Sequence, residues 1–105
     1  MIHSLTAREA AAIAKLARET KTPFMSASSL RFVPDIVKLR AELPQLGDVH
    51  LASVVCGNDL VYYGIHALSM AYAVLGKGAT SAINVGKPGA NIARIRYGDQ
   101  RDVML

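Results

Sequence analysis

Four residues in the middle of the chain, Asp59, Tyr62, His66 and Ser69, follow one another at spacings of 3, 4 and 3. On a helix those spacings bring side chains onto one face. Tyr63 borders that face. A carboxylate, phenols, an imidazole and a hydroxyl on one stripe could move a proton near neutral pH. His66 and Tyr62 are the candidate catalytic acid–base pair. Asp59, Tyr63 and Ser69 are candidate contacts to a sugar-like or hydroxy-acid substrate. The same stripe has a structural reading. Polar groups on an otherwise apolar helix need hydrogen-bond partners, and a lone histidine can meet that need inside a core or an interface. Sharing a helix face does not make a Ser-His-Asp triad, because nucleophile, base and orienter must follow in hydrogen-bonded order.

Other chemistries are poorly supplied. The histidines stand at positions 3, 50 and 66, without ligand-type spacing, so no metal site is expected. Gly76-Lys77-Gly78-Ala79-Thr80 lacks the phosphate-loop spacing and suits a helix C-cap and turn. No Gly-x-Gly-x-x-Gly follows a strand and opens a helix, so no cofactor-binding residues are assigned. Cys56 is the single cysteine, which excludes an internal disulfide. It follows Val54-Val55, a setting for a buried, inert thiol.

The elements that must position these residues follow from caps and periodicity. Thr6-Ala7-Arg8-Glu9 is a capping box with Leu5 at the staple position. It predicts a helix over 7–19 with Ala10, Ile13, Leu16 and Ala17 as its apolar stripe. Lys21-Thr22-Pro23 ends it, and Phe24-Met25-Ser26 reads as a short strand. Pro34 and Asp35 open a second helix over 34–43, stopped by Pro44 and Gly47. Residues 48–56 alternate with apolar side chains on both faces, the pattern of a central strand. Residues 60–75 contain no Lys, Arg, Asp or Glu and read as a buried helix. The run is slightly short for a membrane span and carries His66, Ser69 and three tyrosines. Strands over 80–85, 91–97 and 102–105 complete the order α-β-α-β-α-β-β-β. The fold class is α/β (α+β), a small sheet with helices on one face, in one domain of 105 residues.

Composition agrees with a globular chain. Hydrophobic residues are 51% and charged residues 19%, and the apolar excess suggests a surface covered by another chain. The net charge of +4 comes from scattered cations with no aromatic interleaving, which signals nucleic acid weakly. Met1-Ile2-His3-Ser4 has neither a basic nor an apolar leader region, so cytoplasm is the expected compartment.

Several motifs, in order along nearly all of the chain, resemble the middle portion of the glucose–fructose oxidoreductase / inositol dehydrogenase (Gfo/Idh/MocA) family. They are Thr6-x-x-Glu9-Ala10, Pro23-Phe24-Met25-Ser26, Leu30-Arg31-Phe32-x-Pro34, Gly47-Asp48-Val49, Gly64-Ile65-His66 and Arg94-Ile95-Arg96-Tyr97-Gly98-Asp99. The resemblance implies that 1–46 correspond to the end of a nucleotide-binding, Rossmann-type domain and 47–105 to the start of an open-faced sheet domain. It implies a catalytic role for His66, a place near substrate for Arg31, and NAD(P) as the family's cofactor. The chain departs from the family at decisive places. Met1-Ile2 fall about where the family's catalytic Lys and its Pro would stand. Tyr62 and Ser69 replace two frequent aspartates, and the Gly-rich loop has no counterpart. The expectation is therefore a truncated or degenerate oxidoreductase relative that binds no NAD(P) by itself. As partners it would have a second copy of itself, in a dimer through the exposed sheet, or a separate nucleotide-binding chain, with no membrane. The alternatives are a self-associating binding or assembly module, or a non-redox enzyme that uses His66 and Tyr62.

Overall fold

The computed structural model describes residues 6–105. Helix α1 (Ala7–Glu19) has the expected bounds and the expected cap. The Glu9 amide donates to Thr6 Oγ1 at 3.2 Å and the Thr6 amide donates to Glu9 Oε2 at 3.1 Å. The staple position, Leu5, lies outside the described residues. No residue of α1 is buried, and Leu16 in its apolar stripe is 61% exposed.

The chain from Pro23 to Ser28 forms no strand, which corrects the expected β segment at Phe24-Met25-Ser26. Pro23 cannot donate to a ladder, and the three residues that follow join no strand among the described residues; Phe24 and Met25 stay exposed. A 3-10 turn (Ser29–Phe32) follows, capped by the Ser28 hydroxyl, and leads into α2 (Pro34–Glu42) with proline in its first turn. A second 3-10 turn (Leu43–Leu46) extends α2, so Pro44 tightens the helix rather than stopping it at once.

The sheet is four-stranded, in the order β1-β4-β3-β2. Its members are β1 (Leu51–Ser53), β2 (Ala79–Asn84), β3 (Ala93–Tyr97) and β4 (Asp102–Met104). β1 runs parallel to β4, while β3 pairs antiparallel with both β4 and β2. The chain is thus mixed α/β, in the order α-α-β-α-β-β-β. The expected central strand is corrected: β1 is a three-residue edge strand. Its second apolar face is uncovered rather than buried, with Leu51 63% and the following Val55 86% exposed.

Helix α3 (Gly64–Leu75) covers the other face. Ala71 and Leu75 form the buried core with Ile95, Tyr97 and Val103, and Ala52, Val54 and Leu68 pack around it. α2 and the first 3-10 turn pack against α3. Gly76 ends α3 with φ +75°, a conformation that favours glycine, and its amide donates to the Tyr72 carbonyl. The Tyr97 hydroxyl donates to the Gly76 carbonyl at 3.0 Å. Between β2 and β3 the chain turns tightly at Gly86. A Cβ there would collide with the Ala90 carbonyl and the Ile92 amide, so only glycine fits.

The register puts Leu51, Asp102, Arg96 and Ser81 in one row across the open face, and Ser53, Met104, Arg94 and Ile83 in the next. Asp102 binds both arginines, Arg94 Nη2 at 2.6 Å and Arg96 Nε at 3.1 Å. Hydrogen bonds from Arg96 and then Arg94 lower its pKa from 3.8 to about 2. A depressed carboxylate pKa adds stability above its unfolded value, and that stability is lost as pH falls toward the folded value. Urea midpoints should therefore drop between about pH 4 and pH 2, and Asp102→Asn should flatten that drop; an unchanged slope in the variant refutes the assignment. Val103 is 1% exposed. Val103→Ala should cost about 2 kcal/mol in the same measurement.

Candidate functional site

The helix expected from residue 60 begins at Gly64. Asp59 explains the delay. Its Oδ1 accepts from the Val61 amide at 2.8 Å and the Tyr62 amide at 3.0 Å. Its carbonyl accepts from the Tyr63 amide at 2.8 Å. A short aspartate side chain competes for backbone amides and holds a turn where periodicity alone reads helix. Asp59 and Tyr62 therefore lie off the helix, and the four-residue stripe is not a shared helix face. Tyr62 is 67% exposed. Ser69 is buried on α3.

His66 is half-buried and takes its partner from a distant segment. Its Nδ1 lies 2.8 Å from Ser28 Oγ. Ser28 is 4% exposed, and its Oγ also accepts from the Leu30 amide at 3.2 Å. The Tyr63 ring meets the imidazole edge-on at 6.1 Å between centroids. Nδ1 can accept from the hydroxyl or donate to it, according to the ring's tautomer. A Ser–His pair at this distance has the outline of an activated nucleophile. Here the hydroxyl is enclosed and already caps a 3-10 turn, so no substrate carbonyl can approach it. The pair ties residues 28–30 to α3. Ser28 was missed in the sequence; its only signal was its place as a cap before Ser29-Leu30.

Arg31 stands apart from His66's ring partner. Its guanidinium lies 5.7 Å from the Tyr72 ring centroid and 6.0 Å from that of Phe32. A cleft of about 730 Å³ lies beyond the carboxyl ends of β1 and β4. Asp59, Asn58 and Cys56 line it with Leu60, Ile92 and Met104. Neither His66 nor Tyr62 contributes to its wall. Cys56 is half-buried on this wall rather than enclosed, correcting the expectation of a buried thiol. The structure thus disperses the predicted set. His66 meets Ser28 and the Tyr63 ring, Asp59 faces the cleft, Arg31 stacks beside Tyr72, Ser69 is buried on α3 and Tyr62 is exposed. Among the described residues no group of three or more His, Cys, Asp or Glu side chains is placed to hold a metal.

A dinucleotide of the kind the family resemblance implies needs a tight glycine turn from a strand into a helix N-terminus, with amides free for the pyrophosphate. Residues 54–63 separate β1 from α3 here. The start of α3 is filled from within: a Cβ at Gly64 would lie 2.9 Å from Leu60 Cδ1, and the Asp59 carbonyl accepts from the Gly64 amide. These residues do not fit the group.

No protein-family model, curated protein or solved structure matches this chain.

The hydrogen bond makes a quantitative expectation. Ser28→Ala or His66→Ala should each cost about 1 kcal/mol by chemical denaturation, since each removes the hydrogen bond between the two segments. The double variant should cost less than the sum of the two. Strict additivity would show that the two side chains act independently.

Proposed function

We propose that this chain is a relative of the Gfo/Idh/MocA oxidoreductases without dehydrogenase activity of its own, and that it works as a self-associating module. The observation that carries the reading is the uncovered sheet face. Leu51, Ile83, Val85 and Ile92 are exposed there around the Arg94–Asp102–Arg96 cluster. Exposed apolar side chains gathered on an uncovered sheet face mark a surface suited to a partner chain. The partner that suits it is a second copy, because a two-fold axis lying parallel to the sheet, between two facing copies, would set each copy's exposed apolar side chains against the other's. The kinship rests on the order of the quoted motifs, and the lost activity on Tyr62 and Ser69, which stand where the family often has aspartates.

The engaged Nδ1 of His66 supports a structural role for that residue, and the exposure of Tyr62 gives no enclosed acid–base pair. No helix among the described residues is long and apolar enough to cross a membrane. A cytoplasmic location belongs to the same proposal.

Two measurements test it. Light scattering should give the mass of a dimer at roughly 10–100 μM, the range of a modest interface, and Ile83→Lys should shift it to the monomer with unchanged circular dichroism. A wild-type monomer throughout that range would sink the assembly reading. NADH fluorescence should show no saturable change on titration; a micromolar dissociation constant would overturn the loss of cofactor binding.

A further inference from the structure

A second recess lies at the opposite end of α3 from His66's turn, and its chemistry is of one sign. It has a volume of about 340 Å³ and is walled by Arg31, Arg40, Tyr72, Leu75, Gly76 and Lys77. That volume sits at the lower end of small-ligand sites. Its cations come from three separate parts of the chain. Arg31 comes from the first 3-10 turn, Arg40 from the last turn of α2, and Lys77 from just after α3. No carboxylate lines the recess. Among the described residues no carboxylate pairs with any of the three.

Cations near a helix C-terminus ordinarily answer the helix dipole and its free carbonyls. At α3 that task falls to other groups. Arg101 Nη1 donates to the Leu75 carbonyl at 3.3 Å, and the Tyr97 hydroxyl donates to the Gly76 carbonyl at 3.0 Å. The Gly76 amide takes the Tyr72 carbonyl. Arg31 and Lys77 are thus not drawn into closing α3, and Arg40 meets only the dipole of α2, so three cations without a carboxylate partner border one small space. Arg31 is also held in place, with its guanidinium 5.7 Å from the Tyr72 ring. Stacking leaves the edge of a guanidinium free to donate in its plane.

We infer that this recess binds a small anion bearing a terminal phosphoryl group with two or more negative charges. Arginine presents paired donors to phosphoryl oxygens, and lysine adds a point charge. Three cations suit a multiply charged anion better than a single carboxylate. The small volume admits a terminal phosphoryl group. A dinucleotide's diphosphate, flanked on both sides by nucleosides, does not fit, so this site is separate from the missing cofactor cradle. Nucleic acid is the competing source of phosphate. The concave shape and its restriction to three cations favour the small ligand, since a duplex or single strand needs an extended basic track.

The test is calorimetric titration of the full chain with inorganic pyrophosphate and, separately, with a sugar phosphate monoester, at fixed ionic strength. At least one should bind with a sub-millimolar dissociation constant. The double variant Arg40→Ala/Lys77→Ala should weaken it about tenfold or more. Lys38→Ala serves as the control: it removes a cation from the same helix, one that is paired with Glu42 at 3.9 Å. That variant should bind as the wild type does. Both altered side chains of the double variant are exposed, and unchanged circular dichroism confirms its fold. Absence of binding to both anions overturns the inference. Equal losses in the double variant and the control overturn it too. So does tight binding of a single-stranded oligonucleotide that pyrophosphate fails to displace.

Discussion

The seating of α3 on the sheet is the contact on which the rest depends. Ala71 and Leu75 meet Ile95, Tyr97 and Val103, and α2 and the first 3-10 turn are placed against the same helix. Small side chains make the approach possible: Gly64, Ala67, Ser69, Ala71 and Ala73 are all buried on this one helix. A helix without a charged residue can be enclosed on several sides at once. α2 and the 3-10 turn at 29–32 use another side of it, and Ser28 reaches His66 from there. Tyr97 joins the layer to its own edge, since its ring is buried and its hydroxyl ends on the Gly76 carbonyl. Burial raises the pKa of that phenol, which keeps it a donor across the ordinary pH range.

Local chemistry was the legible part of this fold. The capping box set the start of α1 and Lys21-Thr22-Pro23 its end, because caps and breakers are properties of adjacent residues. Gly76 and the three C-terminal strands fell close to where turn residues placed them. What failed depended on partners. Phe24-Met25-Ser26 has strand-like composition but joins no strand ladder among the described residues. The 48–56 segment is apolar on both faces, and composition cannot tell a face covered by a helix from one left open. The α3 start was misplaced because Asp59 prefers backbone amides to a helical stripe. Even there the apolar run from 64 to 75 was read correctly.

The candidate site shows the same division more sharply. Spacing placed Asp59, Tyr62, His66 and Ser69 together, and a turn separated them. The partner that His66 does have, Ser28, is 38 residues away in sequence, and no periodicity reports such a pairing. Arg40 and Lys77 looked like scattered surface charge for the same reason. Only the fold shows that the helix end beside them is already satisfied by Arg101 and Tyr97. Charge that local structure does not consume is visible only after the consumers are known.

One feature of the topology bears on how the molecule is assembled. β1 has a single neighbour, β4, and their register joins Leu51 to Asp102 and Ser53 to Met104. The first strand of the sheet thus waits for the last. β2 and β3 can close as a local hairpin within microseconds, whereas the parallel pair must close a loop of about fifty residues at additional entropic cost. During synthesis on a ribosome the stretch around Leu51 and Val55 would emerge early and remain without its mate until the final strand clears the exit tunnel. Such an interval is when a chaperone, or a neighbouring nascent chain, competes for the same edge.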